Sequence, residues 1–184
     1  MPNATPGFVV DQRTHALGTD LATFSPDRVY RYLLTRTWGA GPTAAWIMLN
    51  PSTADAFADD PTIRRCVAFS RREGCGSLIV TNLYSLRATD PAALLDHPDP
   101  VGPLGDQYLT APARLHAGLV IAAWGTGGAS GGRGSSAAAL LRDIGVQLHC
   151  LGTTKDGHPK HPLYVRGDTP IERYAPVPDE ERVS

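Results

Sequence analysis

The sequence predicts an α/β fold, a three-layer sandwich around a four-stranded parallel central sheet, with a β-hairpin or edge strand added at the N-terminal end. Three observations predict it. Four short apolar runs without polar alternation, at 44–49, 78–83, 119–124 and 146–151, read as strands buried on both faces. Amphipathic segments separate these runs, and strands alternating with helices make βαβ units with right-handed crossovers. The 184 residues suit one compact domain, and a hydrophobic fraction of 42% is enough for a core.

Residues 1–27 are mixed in character and read as an N-terminal extension, in which Phe8-Val9-Val10 is a candidate short strand. The single α/β domain is expected over 28–166. Tyr30, Tyr32, Leu34 and Trp38 fall on alternate positions of an aromatic and β-branched run, a strand with one buried face. Gly39-Ala40-Gly41-Pro42 turns the chain into the first apolar run. A helix opens at Asp60-Pro61, with Asp60 suited to the cap and Pro61 to the first helical position, and Gly74 ends it. Further helical patterns cover 91–95, 106–116 and 135–144, the last stopped by Gly145. Residues 167–184 form a Pro- and charge-rich tail.

Composition excludes several classes. A formal net charge of −1 gives no overall pull toward polyanions, so a nucleic-acid surface has to be local, built on pairs such as Arg64-Arg65. Cys66, Cys75 and Cys150 fit no C-x-x-C pattern and read as buried thiols of a reducing compartment. The N-terminal segment lacks the pattern of a secretory signal, and no apolar run approaches the ~20 residues of a membrane span. The expected location is the cytoplasm, with no membrane partner.

Ligands of such sheets bind beyond the carboxyl ends of the strands. Four polar, Gly- and Pro-shaped loops follow the four runs: Asn50-Pro51-Ser52, Asn82 with Tyr84 and Arg87, Trp124-Gly125-Thr126, and the stretch carrying Lys155 and His161-Pro162. Each has a plain structural alternative. Asn50-Pro51 reads equally as a turn, and Asn82 as an amide held by a neighbouring loop. Asp60 reads as a helix cap rather than a ligand, and Asp55 and Asp59 equally as solvated loop acids or, together, as a weak metal site. No histidine spacing supports a metal, and the Gly-rich stretch 126–134 lacks the Lys-Ser/Thr ending of a P-loop. No cofactor is called for.

Taken in order, these loops resemble the uracil-DNA glycosylase superfamily. The matching segments are Ile47-Met48-Leu49-Asn50-Pro51, Leu78–Asn82 with the following Leu83–Arg87, Ala123-Trp124-Gly125 and His161-Pro162-Leu163. The phrases MLNPSTAD, DDPTIRRC, TNLYSLRAT, AWG and HPLY also resemble a bacterial family to which no activity attaches. The superfamily resemblance implies catalytic roles for Asn50, which would position water, and His161, which would hydrogen-bond the leaving base. It implies a base-binding set of Pro51, Phe57, Asn82, Tyr84 and Trp124, with Asn82 reading the base edge. Ser52, Arg64, Arg65, Arg87, Gly125 and Lys155 would hold phosphates. This sequence departs from the superfamily in two places. Asn50 cannot take up a proton as an Asp does, and Leu163-Tyr164 replaces the usual Ser after His-Pro.

The expected function is therefore that of a DNA glycosylase-like protein recognising a base, plain or modified, or excising it by hydrolysis of its N-glycosidic bond. Its partner would be single- or double-stranded DNA, or a nucleotide. Two rivals stand beside it: a pocket that binds a nucleotide or flipped base without chemistry, and a hydrolase of a small nucleoside or nucleotide.

Overall fold

The computed structural model describes residues 7–90, 92–115 and 117–176. Eight strands form one sheet: β1 (Val9–His15), β2 (Gly18–Phe24), β3 (Arg31–Thr37), β4 (Thr43–Met48), β5 (Ser77–Asn82), β6 (Ala117–Ala122), β7 (Leu148–Cys150) and β8 (Glu172–Arg173). Their spatial order is β1-β2-β3-β5-β4-β6-β7-β8. The helices are α1 (Pro61–Arg72), α2 (Ala93–Asp96), α3 (Gly105–Leu115) and α4 (Arg133–Asp143), with 3₁₀ segments at Gly125–Gly132 and Pro162–Tyr164.

This architecture corrects the expected one. The sheet is mixed, not a four-stranded parallel sheet at the centre of a three-layer sandwich. Four of its seven pairings are antiparallel: β1 with β2, β2 with β3, β3 with β5, and β7 with β8. Only β5-β4, β4-β6 and β6-β7 are parallel. The physical reason lies in the strands that carry polar faces. Runs buried on both sides announce themselves in a sequence; β1, with mostly exposed side chains, and the two-residue β8 do not. β3 also does not continue into its sequence neighbour β4. It crosses to pair with β5, so the hairpin-linked strands β1–β3 extend the sheet beyond β5.

Along β4 the side chains alternate between two cores. Ala44, Trp46 and Met48 pack with Ile63, Cys66 and Phe69 of α1. Ala45 and Ile47 pack with Leu109 of α3 and Ala137, Ala138 and Leu141 of α4. α1 begins as its sequence requires: Oδ1 of Asp60 accepts from the Ile63 amide at 2.8 Å, with Pro61 in the first turn. Cys66, Cys75 and Cys150 are buried free thiols. Among the described residues no helix is long and apolar enough to cross a membrane.

One irregularity aims a functional side chain. The β2–β3 register shifts between Thr23 and Phe24: Leu33 faces Thr23, but Arg31 faces Phe24. An extra residue on one strand turns the chain past it to the other face. Arg31 and Arg36, of opposite parity, thereby both reach the loop that precedes α1.

Candidate functional site

Main-chain hydrogen bonds lash the strand ends together and so fix the loops that follow them. The Leu83 and Tyr84 amides donate to the carbonyls of Met48 and Leu49, each at 2.9 Å, and Ala88 N–H reaches the Pro51 carbonyl at 3.0 Å. The Gly125 amide donates to the Pro159 carbonyl at 2.9 Å, which draws the 160–164 segment to the end of β6. Between these loops, the start of α1 and Arg31 lies a cavity of about 620 Å³. That size is within the ~300–1,000 Å³ of small-molecule sites.

Asn50, Asn82 and His161, from the ends of different strands and the loops beyond them, are among the polar side chains that line it. Asn50 donates both amide hydrogens to main-chain oxygens, of Ala88 at 2.7 Å and of Pro51 at 3.1 Å. That orientation leaves its Oδ1 as the group offered to a ligand, an acceptor only. Asn82, at the end of β5, is 3% exposed, and neither its Nδ2 nor its Oδ1 has a hydrogen-bond partner. An unsatisfied buried amide group costs about 1–3 kcal/mol. His161 caps the 3₁₀ turn after it, its Nδ1 accepting from the Leu163 amide at 3.3 Å. The hydrogen of the neutral ring therefore sits on Nε2. Burial pushes the His161 pKa down, against the pull of the Asp60 carboxylate, and favours that neutral form.

Arg31 completes the cavity, and sequence reasoning missed it. It is 2% exposed, its NH1 donates to the Ala54 carbonyl, and its Nε has no partner. Among the described residues it makes no ion pair. Burial pushes its pKa down to about 10, with the nearby Asp60 charge opposing and Arg87 and Arg36 adding to the fall. The available signal was an arginine beside Tyr30, Tyr32 and Leu34 in a strand run, a signal that Arg36 shares. Asp60, read only as a cap, also lines the cavity, as do Lys160 and Tyr164. Tyr164 is 83% exposed, with its ring centroid 5.5 Å from that of His161.

The other nominated residues are distributed as follows. Ser52, Trp124 and Gly125 line the cavity with Asn50, Asn82 and His161. Trp124 turns its indole nitrogen away toward Gly128 and Gly134, where added Cβ atoms would stand 2.5 and 2.8 Å from it. Pro51 is buried and contributes its carbonyl to the loop ties. Phe57 is 58% exposed on a loop whose carbonyl is held by Arg13. Tyr84 lines a separate, smaller hollow and donates its hydroxyl to the Ser130 carbonyl at 3.0 Å. Arg64 donates to the Asp59 carbonyl at 2.6 Å. Arg65 donates to the carbonyls of Pro162 and Val165 at 3.1 and 2.7 Å, tying α1 to the His161 loop. Arg87 donates to the Arg28 carbonyl at 3.3 Å and lies over the Phe24 ring. Lys155 is exposed in the turn before His158.

A family model described as "Protein of unknown function (DUF1643)" matches residues 31–163. The match runs from Arg31 to the residue after His161-Pro162 and so takes in the strands and loops that build the cavity. No curated protein and no solved structure matches the chain.

Proposed function

We propose, for a chain that belongs to the DUF1643 family, that the cavity recognises the base of a small nucleoside or nucleotide and hydrolyses its N-glycosidic bond. The observation that carries this reading is Asn82. A buried amide with both its donor and its acceptor unsatisfied suits a ligand that presents an acceptor and a donor side by side, as a base edge does. An exposed aromatic at the rim, Tyr164, suits a stacking partner.

The chemistry follows from the remaining groups. Water attacks the sugar carbon as the carbon–nitrogen bond breaks, and the bonding electron pair leaves on the base nitrogen. The Oδ1 of Asn50 accepts a hydrogen bond from that water and orients it. Asn50 cannot take the proton, and Asp60 is the carboxylate that lines the cavity and can. The neutral His161 ring, with Nε2–H as donor, stabilises charge on the departing base. A small ligand is favoured over a strand because Arg64, Arg65 and Arg87 direct guanidinium donors to main-chain carbonyls. A DNA glycosylase would use the same pocket and would need phosphate contacts from other side chains.

A second reading, binding without turnover, is favoured by the amide at position 50. One experiment separates them. The protein is incubated with nucleosides, nucleoside 5′-monophosphates and oligonucleotides carrying uracil or modified bases, and free base is measured by chromatography. Base release that is lost in both Asn82→Ala and Asp60→Asn is the expected result. Affinity with no release from any substrate selects the binding module, and release unchanged in Asn82→Ala overturns the base-recognition role.

A further inference from the structure

We infer that Arg31 forms an anion subsite at the floor of the same cavity, so that the ligand is a phosphorylated nucleoside rather than a nucleoside alone. The inference rests on the base-recognition reading and adds the chemical class of the ligand's other end.

Three observations carry it. The register shift opposite Phe24 and Thr23 brings Arg31 to the face where the cavity lies. Its guanidinium is buried there with an unpartnered Nε and without an ion pair to any described carboxylate. A buried guanidinium left in that condition is costly, and a bidentate anion relieves it. Asp60, the acid with the largest electrostatic influence on Arg31, caps α1 and makes no ion pair with it. Lys160, exposed and also lining the cavity, adds a second positive charge.

Arg31 also holds the 54–59 loop through the Ala54 carbonyl, and the plain alternative is that this is its whole purpose. That loop has another anchor. Arg36 donates to the Asp55 carbonyl, to the Ala58 carbonyl at 3.3 Å and to the Asp59 carboxylate at 2.7 Å. Fastening the loop therefore does not require Arg31, whereas an anion would.

The test compares inorganic phosphate, nucleosides and nucleoside 5′-monophosphates by calorimetry on the wild type, Arg31→Lys, Arg31→Met and Asn82→Ala. In the wild type the monophosphate is expected to bind about tenfold or more tightly than its nucleoside, the scale of a charge-assisted pair. Arg31→Met collapses that ratio to about one, and Arg31→Lys keeps part of it. Inorganic phosphate alone competes with the monophosphate and still binds Asn82→Ala. Should Arg31→Met fail to fold, the wild-type ratio and the competition by inorganic phosphate decide the matter. Equal affinity for nucleoside and monophosphate, or a ratio that survives in Arg31→Met, overturns the subsite. If phosphate binds through Arg31 but no nucleoside or nucleotide does, the subsite stands and the base-recognition reading fails.

Discussion

Replacing Asn82 by Leu should make the ligand-free protein more stable while abolishing ligand binding. The two side chains are of similar size, and position 82 is 3% exposed. In most buried sites removing an amide would break its hydrogen bonds, but neither polar atom of Asn82 has a partner. The change therefore removes a standing desolvation cost of about 1–3 kcal/mol and adds apolar contact in its place. For a chain of this length each kcal/mol moves the midpoint by roughly 2–4 °C, so a rise of roughly 2–12 °C is expected. Urea and thermal unfolding, followed by circular dichroism, measure it. A fall in stability of 1 kcal/mol or more would refute the reasoning, because it would mean that the amide is satisfied within the fold. Asn82→Asp is the companion variant: an unpaired buried carboxylate there should lower stability and make it depend on pH.

Three further outcomes follow from named contacts. Asp20, 2% exposed, accepts from Arg13 at 2.7 Å, from the Thr37 amide at 3.0 Å and from His15 at 3.4 Å; Asp20→Asn should lower stability by about 1–3 kcal/mol in urea unfolding. Burial would raise the Asp20 pKa, but these hydrogen bonds and the Arg36 charge outweigh it and hold it below 3.8. Its stabilising contribution is thus complete above the unfolded value and lost as pH falls through the lower folded one, a loss that Asp20→Asn should not show. A Cβ at Gly128 would lie 2.1 Å from Cδ1 of the buried Trp124, so Gly128→Ala should destabilise by about 1–3 kcal/mol; an unchanged urea midpoint would contradict that packing. His161 titrates below 6.5 because burial outweighs the pull of Asp60, so ligand affinity that uses its neutral ring should be full above 6.5 and fall as pH drops through the lowered value. With an uncharged nucleoside as the ligand, a pH titration of binding in His161→Gln should be flat over that window.

What the sequence made legible was local. The apolar runs around Trp46, Val80 and Ile121 are strands, and Asp60-Pro61 starts a helix, because burial on both faces and cap chemistry are written in neighbouring residues. Pairing was not legible. Nothing between Thr37 and Thr43 says that β3 crosses to β5, and the exposed β1 and the short β8 carry little apolar signal. The same limit governs the site. Asn50, Asn82 and His161 were recognisable because Asn50 follows an apolar run, Asn82 is the amide within one, and His161 precedes a proline, and strand-end topology brings such residues together. Arg31 was not, since its direction depends on a bulge set by the partner strand β2. Phe57 and Tyr84 were nominated for being aromatic near the right loops, and side-chain direction sent them elsewhere.

The distribution of unsatisfied groups argues that the cavity is built for a ligand. Several buried polar groups away from it find partners: Nε1 of Trp46 donates to Ser70 at 2.9 Å, the Ser70 hydroxyl donates to the Cys66 carbonyl at 2.8 Å, and Nε1 of Trp38 reaches the Cys75 carbonyl at 2.7 Å. Among the described residues, five retain a buried side-chain polar atom without one: Arg31, Asn82, Arg87, Trp124 and His149. Arg31, Asn82 and Trp124 line the cavity, though the Trp124 nitrogen faces Gly128 and Gly134. Asn82 is the residue of this set with both polar atoms unpaired, and together with the Arg31 Nε it places three of the six unpaired atoms on two cavity-lining side chains, a cost that a bound ligand would offset. The arrangement makes a discriminating demand on a liganded structure. Asn82 and Arg31 should both gain hydrogen bonds to the ligand, while His149, on β7 and outside the cavity lining, should gain none.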